Sequence, residues 1–360
     1  MKIAVCCGGT GGHIFPGLAV AEELKSRGHV VVLWLAGRNV EGAAVTGWTG
    51  AVVTVQAHGF AGIGLRSVVA AYSLIRSFFF CRKRMKEMRP SVLLAMGSYA
   101  SVGPVLAARS LGVRVVLHEA NAVPGRAISM LARWADIVAV SDEGTRRFLK
   151  GRRCVYTGFP VRKEIACVVR KGNGSGLFTI LVLGGSQGAH AVNEVVATAV
   201  CTAHKTGLKL KVIHLSGLRD ETAMRARYEQ AGVAHEVHGF LRQMEQAYSV
   251  ADFAICRAGA ATCSELAAVG LPSLLVPLPG APRDHQTANA RAMLARGAAD
   301  MIEQGKLTVE WLVAYLQSTA LDCKKLEKMK SAASAAHAGD ATATLAGLVE
   351  TTGKEAVCPQ

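Results

Sequence analysis

Twice in 360 residues a short, predominantly apolar run ends in a cluster of glycines and passes straight into a helical pattern. The first run is Ile3, Ala4, Val5, Cys6 and Cys7, followed by Gly8-Gly9-Thr10-Gly11-Gly12-His13-Ile14-Phe15-Pro16. The second is residues 179–183, followed by Gly184-Gly185-Ser186-Gln187-Gly188. Continuous apolar runs of this length read as strands buried on both faces, which implies parallel sheet covered by helices. A glycine turn between strand and helix lets backbone amides approach an anion, with the positive end of the helix behind them. The repetition predicts an α/β chain of two doubly wound parallel-sheet domains facing a cleft, with ligand bound between the halves.

The rest of the pattern agrees. After the first turn Pro16 reads as a first-turn helical residue, Gly28 as the stop, and Leu18, Ala21 and Leu24 as the buried stripe. Strand-like runs at 30–35, 52–55, 92–95, 113–117 and 137–140 alternate with helical stretches. After the second turn a helix is expected from about residue 191, and further strands at 210–215, 235–238, 253–255 and 274–276. The predicted division is 1–161, 162–335 and a last segment, 336–360, with 170–176 an exposed connecting loop. A dinucleotide-binding Rossmann unit fits poorly: Ile14 stands where the third glycine of that fingerprint belongs, and the strand at 30–35 ends in Ala36-Gly37-Arg38 with no ribose-binding acid.

Composition narrows the partners. An apolar content of 51% with 19% charged residues describes a globular chain, and a formal net charge of +15 favours anionic ligands. Nucleic acid is disfavoured, because no zinc spacing, RNA-binding signature or long basic-aromatic interleaving occurs. Ten cysteines without a CxxC pair, several inside apolar runs (Cys6, Cys256, Cys263), read as buried thiols and not as a redox or zinc site. Seven residues before the first glycine turn leave no room for a signal peptide, and residues 68–81 are too short and too interrupted, by Arg76, to span a bilayer. The expected location is cytosolic.

One segment is of another kind. Between 65 and 89, Leu74, Ile75, Phe78, Phe79 and Phe80 crowd against Arg76, Arg82, Lys83, Arg84, Lys86 and Arg89. Such a helix lies on a membrane surface or covers a core with a solvated basic end, and the pattern alone leaves both open.

Chemistry gathers at the carboxyl ends of the strands. His13 sits in the first turn, either as a loop hydrogen-bonder or as a base. Met96-Gly97-Ser98-Tyr99-Ala100-Ser101 and His118-Glu119-Ala120-Asn121 through Gly125 form polar loops. In the second half a buried strand enters Arg257-Ala258-Gly259-Ala260-Ala261-Thr262-Cys263-Ser264-Glu265, where free amides suit phosphate and Glu265 suits the two hydroxyls of a ribose. Glu265 stands in a small, apolar helix, so its carboxylate needs a partner. Gln286 and Asn289 follow the next strand and can read sugar hydroxyls.

Together these motifs resemble the MurG family, the peptidoglycan N-acetylglucosamine transferases that make lipid II from lipid I. The resemblance rests on Gly8 to His13 with Phe15-Pro16, His118-Glu119-x-Asn121 with Gly125, Pro160-Val161-Arg162, Gly184 to Gly188, Arg257 to Glu265, and Gln286 with Asn289. It implies the glycosyltransferase B fold, with the final helix returning to the first domain. It implies an inverting transfer of N-acetylglucosamine from UDP-GlcNAc to the MurNAc 4-hydroxyl of lipid I, at the cytoplasmic face of an anionic membrane. Carried over by position, Thr10, Gly11, Gly12 and Asn121 meet the donor sugar side, and Arg162 and Ser186 the diphosphate. The backbone at Leu241 and the helix start Ala260, Ala261, Thr262, Cys263, Ser264 and Glu265 meet the nucleoside, with Glu265 on the ribose and Gln286 and Asn289 on the N-acetylglucosamine. His13 is the leading base and Glu119 the next. Leu74, Ile75, Phe78, Phe79, Arg82, Lys83 and Arg84 are the membrane residues. With no Asp-x-Asp motif no obligatory protein-held metal is expected, Mg²⁺ acting only as a stimulant on the diphosphate. Phe159 (usually Asn), Gly97-Ser98-Tyr99-Ala100 (usually Gly-Gly-Tyr) and His285 (commonly Gln) depart from the family pattern, and the region from 38 to 64 looks shortened. The rivals are another nucleotide-sugar enzyme of the same fold (a glycolipid synthase or an epimerase) and a non-catalytic membrane-associated nucleotide-sugar binder.

Overall fold

The structure, a computed structural model, describes residues 1–37, 41–42, 45–55, 65–170, 176–184, 188–337 and 339–355, without the side chains of 65–71. The chain divides into two compact units, Met1–Arg162 with Ala338–Gln360, and Lys163–His337.

Unit 1 is built on seven strands: β1 (Lys2–Cys6), β2 (Val30–Leu35), β3 (Val52–Thr54), β4 (Val92–Ala95), β5 (Arg114–Glu119), β6 (Ile137–Val140) and β7 (Cys154–Tyr156). Their order is β3-β2-β1-β4-β5-β6-β7, and every pairing is parallel. Cys6 is flanked by Trp34 on one side and Ala95 on the other, so the order reverses at β1. Side chains alternate between two cores. Ala4, Cys6, Leu93, Ala95 and Leu117 face the helices Leu65–Met88, Val102–Ser110 and Arg126–Leu131, and Ile3, Val5, Leu33 and Leu94 face Gly11–Ser26 and the C-terminal helix Ala341–Glu355. That last helix buries Leu345, Ala346 and Val349 completely in the second of these cores.

Unit 2 repeats the plan with β8 (Phe178–Leu183), β9 (Leu210–Leu215), β10 (Ala234–His238), β11 (Phe253–Cys256), β12 (Ser273–Leu275) and β13 (Asp300–Met301), in the order β10-β9-β8-β11-β12-β13 and all parallel. Here the reversal lies between β8 and β11. In open parallel sheets ligands bind outside the carboxyl ends of the strands flanking such a reversal, which selects four segments: the exits of β1, β4, β8 and β11.

Some local expectations shift. The first helix begins at Gly11, not near Pro16, with Thr10 as the capping residue, so His13 lies in its first turn and Pro16 inside it. The His13 and Ile14 N–H groups bond to the Thr10 carbonyl at 2.9 and 3.1 Å, so the helix is under way before Pro16, which lacks an N–H of its own to add. Short edge strands β7 and β13 have too few apolar residues to be read from periodicity. The divide falls at Arg162 and Lys163, and the proposed connecting loop lies mostly at 171–175, outside the described residues.

Candidate functional site

The exit of β1 is crowded enough that only glycine fits. A Cβ on Gly8 would lie 2.4 Å from the Ala36 backbone nitrogen, and Gly9 holds a φ of 140°. Two side chains fasten this turn. The hydroxyl of Ser98, at the exit of β4, donates to the Gly8 carbonyl. The carboxylate of Glu41, only 2% exposed, accepts from the Gly9 N–H at 2.8 Å and the Gly37 N–H at 2.7 Å, tying the turn to the exit of β2. His13 emerges from the same turn with Nδ1 3.1 Å from the Thr10 hydroxyl. Arg162 stacks its guanidinium 4.7 Å over the ring of Phe15, and so comes to the helix that carries His13.

At the exit of β5, Glu119 is 3% exposed and organises its own loop. Oε1 accepts from the Asn121 backbone and side-chain nitrogens at 2.8 and 3.0 Å, and Oε2 from the Gly125 N–H at 2.8 Å. Both oxygens are thus engaged as acceptors, which suits a residue that positions Asn121 better than one that collects a proton. His118 beside it is 1% exposed and buried against Phe159 at 6.0 Å between ring centroids. Its Nε2 lies 3.1 Å from the Ser141 hydroxyl and 3.3 Å from the Gly158 carbonyl. Burial pushes the pKa of His118 down to about 4, with His13 close enough to add to the depression. His118 is therefore a neutral neighbour of His13.

In unit 2 residues 185–187, including Ser186, lie outside the described residues. Gly188 is described: its φ is 75°, and a Cβ there would lie 2.5 Å from the Ser216 carbonyl oxygen. The helix His190–Lys205 follows, and His190 donates from Nδ1 to both oxygens of Asp220, at 3.0 and 3.1 Å. Asn193 supports Asp220 from Nδ2 at 2.8 Å, accepts from His214 Nε2 at 3.1 Å, and His214 Nδ1 in turn meets the Tyr228 hydroxyl at 2.9 Å. Burial alone would raise the Asp220 pKa, but the bonds from Asn193 and His190 hold it below the ordinary carboxylate value. Burial pushes His214 down to about 4.

The exit of β11 reaches Gly259, which caps the helix Ala260–Val269. Glu265 has the partner its surroundings require: its Oε2 accepts from the buried Tyr248 hydroxyl at 2.9 Å. Arg257 spans the carbonyls of Val276 and Pro277 at 3.2 Å and Gln304 at 2.7 Å, a brace for the strand ends. Asn289 donates to the Ala258 carbonyl at 3.1 Å, and Gln286 accepts from the Leu278 N–H at 3.0 Å through Oε1. Gln286 Nε2 has no hydrogen-bond partner among the described residues. Leu241 is half-buried in the loop after β10, next to an exposed Phe240. Just before Gln286, Arg283 and Asp284 both take left-handed backbone angles, φ 56° and 51°, and His285 Nδ1 meets the Pro282 carbonyl at 2.7 Å.

The structure thus gathers Thr10, Gly11, Gly12, His13 and Arg162 at one turn, Glu119 and Asn121 at one loop, and Ala260 to Glu265 with Asn289 at another. Sequence reading overlooked Glu41, Ser98 as a fastener, Asp220 and Tyr248. A lone acid in a small-residue stretch was the one available signal, and it was used only for Glu265.

Two doubly wound units with glycine-lined exits at both order reversals, one presenting an imidazole and the other an acid-bearing helix start, are the architecture of the glycosyltransferase B class. The chain belongs to glycosyltransferase family 28: residues 3–140 match its N-terminal domain and residues 179–345 its C-terminal domain. Among curated relatives it is 37% identical over 361 residues to the UDP-N-acetylglucosamine--N-acetylmuramyl-(pentapeptide) pyrophosphoryl-undecaprenol N-acetylglucosamine transferase of Geotalea daltonii, covering 99% of this chain and 98% of that one. It is 38% identical to the enzyme of the same name from Stutzerimonas stutzeri, over 95% and 96% of the two chains. Among solved structures, Acinetobacter baumannii MurG superposes with a TM-score of 0.78 at 30% identity, over 97% of this chain and 99% of that one. A Listeria monocytogenes protein described as a putative UDP-N-acetylglucosamine 2-epimerase shares the fold, with a TM-score of 0.76 at 12% identity.

Proposed function

We propose that this chain transfers N-acetylglucosamine from UDP-GlcNAc to the 4-hydroxyl of the MurNAc of undecaprenyl-pyrophosphoryl-MurNAc-pentapeptide (lipid I), with inversion, releasing lipid II and UDP. The identity of 35–38% over nearly full length with enzymes named for this reaction supports the activity. The observation that carries the mechanism is the turn holding His13. The imidazole takes the proton of the acceptor hydroxyl as the oxygen attacks the anomeric carbon, and Thr10 orients the ring. The charge that develops on the departing diphosphate is met by Arg162, by Ser186 and by helix-start amides. Unit 2 holds the nucleotide, with Glu265, steadied by Tyr248, on the ribose, and Gln286 and Asn289 on the sugar. Glu119 shapes the loop bearing Asn121 and is not the base. The protein holds no metal of its own in this scheme, and Mg²⁺ acts on the diphosphate from solution.

The acceptor is lipid-linked, so unit 1 works against an anionic membrane surface on the cytoplasmic side. Among the described residues no helix is long and apolar enough to cross a membrane. The helix Leu65–Met88 supplies a peripheral contact, and its two faces differ. Leu74 and Phe78 are partly buried and pack against the core cluster that holds Cys81 and Met85, so in this reading the contact is carried by the outer face. Ile75 (57% exposed) and Phe79 (63%) share the outer face with Arg82, Lys83 and Lys86. Each cation near an anionic leaflet adds about 1 kcal/mol, enough with two apolar side chains for reversible docking.

The test is incubation with labelled UDP-GlcNAc and a lipid I analogue. A β-linked disaccharide and UDP are expected. Consumption of UDP-GlcNAc without any acceptor would identify an epimerase or hydrolase instead, and binding without turnover a non-catalytic binder.

A further inference from the structure

A second basic segment lies in unit 1, outside the helix Leu65–Met88. Residues 146–153 read Arg-Arg-Phe-Leu-Lys-Gly-Arg-Arg, five cations in eight residues, and no acidic residue occurs between 144 and 163. All five cations are exposed, and among the described residues none is within ion-pair distance of a carboxylate. Phe148 stands out among them at 43% exposure, with the Arg147 guanidinium stacked 4.7 Å above its ring. Leu149 anchors the segment: it is 5% exposed and joins the same core cluster as Cys81 and Met85 of the helix Leu65–Met88. Both segments therefore cover one face of the seven-stranded sheet. Between them in the chain, Arg133 stacks 4.8 Å over Trp134, which packs against that same cluster. Five neighbouring unpaired cations repel one another, and an array of anionic phosphates relieves that repulsion while an exposed aromatic ring gains by leaving water.

We propose that residues 146–153 are a second lipid-contact site, in which Arg146, Arg147, Lys150, Arg152 and Arg153 engage anionic headgroups and Phe148 enters the interface. The proposal rests on the reading of unit 1 as membrane-facing. It adds that unit 1 docks through two separate points on one face, which restricts its orientation as a single helix would not.

The full chain is sedimented with vesicles of phosphatidylglycerol and phosphatidylcholine, and with phosphatidylcholine alone, at low and high salt. Three forms are compared: wild type, Arg146→Gln with Arg147→Gln, Lys150→Gln, Arg152→Gln and Arg153→Gln, and Ile75→Ser with Phe79→Ser. The five-fold Gln variant is expected to bind anionic vesicles roughly tenfold or more weakly, with unchanged turnover on a short-chain, water-soluble acceptor. Independently, a Phe148→Trp chain should gain fluorescence that brominated phospholipid quenches, and this readout does not depend on the Gln variant folding. Wild-type vesicle affinity in the Gln variant, or no bromolipid quenching at Trp-substituted position 148, overturns the proposal. If the Ile75 and Phe79 variant then still loses binding, the membrane reading survives without this site. If wild type binds no anionic vesicle, the membrane reading itself falls. Tighter wild-type binding to an RNA homopolymer or an acidic polypeptide than to anionic vesicles assigns the patch to that partner and overturns the lipid assignment.

Discussion

The two glycine turns occupy the same place in two similar sheets, yet they use their buried acid in opposite ways. At the exit of β1 the carboxylate of Glu41 holds the backbone of the turn, and the imidazole of His13 rests on a hydroxyl. After β8 the carboxylate of Asp220 holds the imidazole of His190 itself. A carboxylate on Nδ1 fixes one tautomer, with the proton on that nitrogen, whereas a hydroxyl donates or accepts and follows the ring through a change of protonation. The first arrangement suits an imidazole that must gain and lose a proton in each cycle. The second suits a fixed element of a binding surface.

Substitution should separate these roles sharply. His13→Ala is expected to lower turnover by roughly a hundredfold or more while UDP-GlcNAc binding, read by calorimetry, survives. His190→Ala should change kcat little and raise the donor KM only a few-fold. A comparable kcat loss in both variants would erase the distinction between the turns. Within unit 2, Glu265→Ala should cost about 2 kcal/mol in affinity for UDP, roughly thirtyfold, and wild type should prefer UDP to 2′-deoxy-UDP. Equal binding of the two nucleotides would remove Glu265 from the ribose.

Glu41→Ala tests whether the first turn depends on its acid. It strips acceptors from two buried N–H groups, so kcat should drop roughly tenfold as His13 loses its fixed approach, with donor KM nearly unchanged. Glu41→Gln keeps one acceptor oxygen and should restore part of the loss. A pure stability defect, with normal kcat in the molecules that remain folded, would make Glu41 structural only.

The smallest contrast is in acid stability, where the units should behave alike. His118 in unit 1 and His214 in unit 2 are both depressed to about 4 by burial. The unfolded chain binds these protons near pH 6.5 and the folded chain only near 4, so stability is full above about 6.5 and falls as pH drops toward 4. Each contributes on the order of 3 kcal/mol across that window. Thermal melts from pH 7 to 4.5 should show the loss. A His214→Phe chain should flatten the curve for unit 2, although it also leaves Asn193 and Tyr228 without a partner. A melting temperature independent of pH over that window would show that neither imidazole is buried as neutral.

Much of this was readable in advance because its causes are local. An apolar run, a glycine cluster and a helical stripe each declare themselves within about ten residues, and so β2, β4, β6 and β9 fell where periodicity put them. The site segments were readable for the same reason, being the glycine-rich exits of those runs. Partners were not. Glu41 lies 32 residues from Gly9, Asp220 lies 30 from His190, and Tyr248 lies 17 from Glu265. Which acid meets which turn follows from strand order, β2 beside β1 and β9 beside β8, and a residue's own neighbours in sequence carry no mark of that order. The three phenylalanines at 78–80 make the same point on one helix. Composition marks all three as apolar, but helical rotation turns Phe78 toward the core and Phe79 toward solvent. Local sequence thus determined the elements and the chemistry at their ends, while the tertiary structure alone decided which buried carboxylate holds the backbone of a turn and which holds an imidazole, since burial is a property of the packed sheet and not of any single stretch of chain.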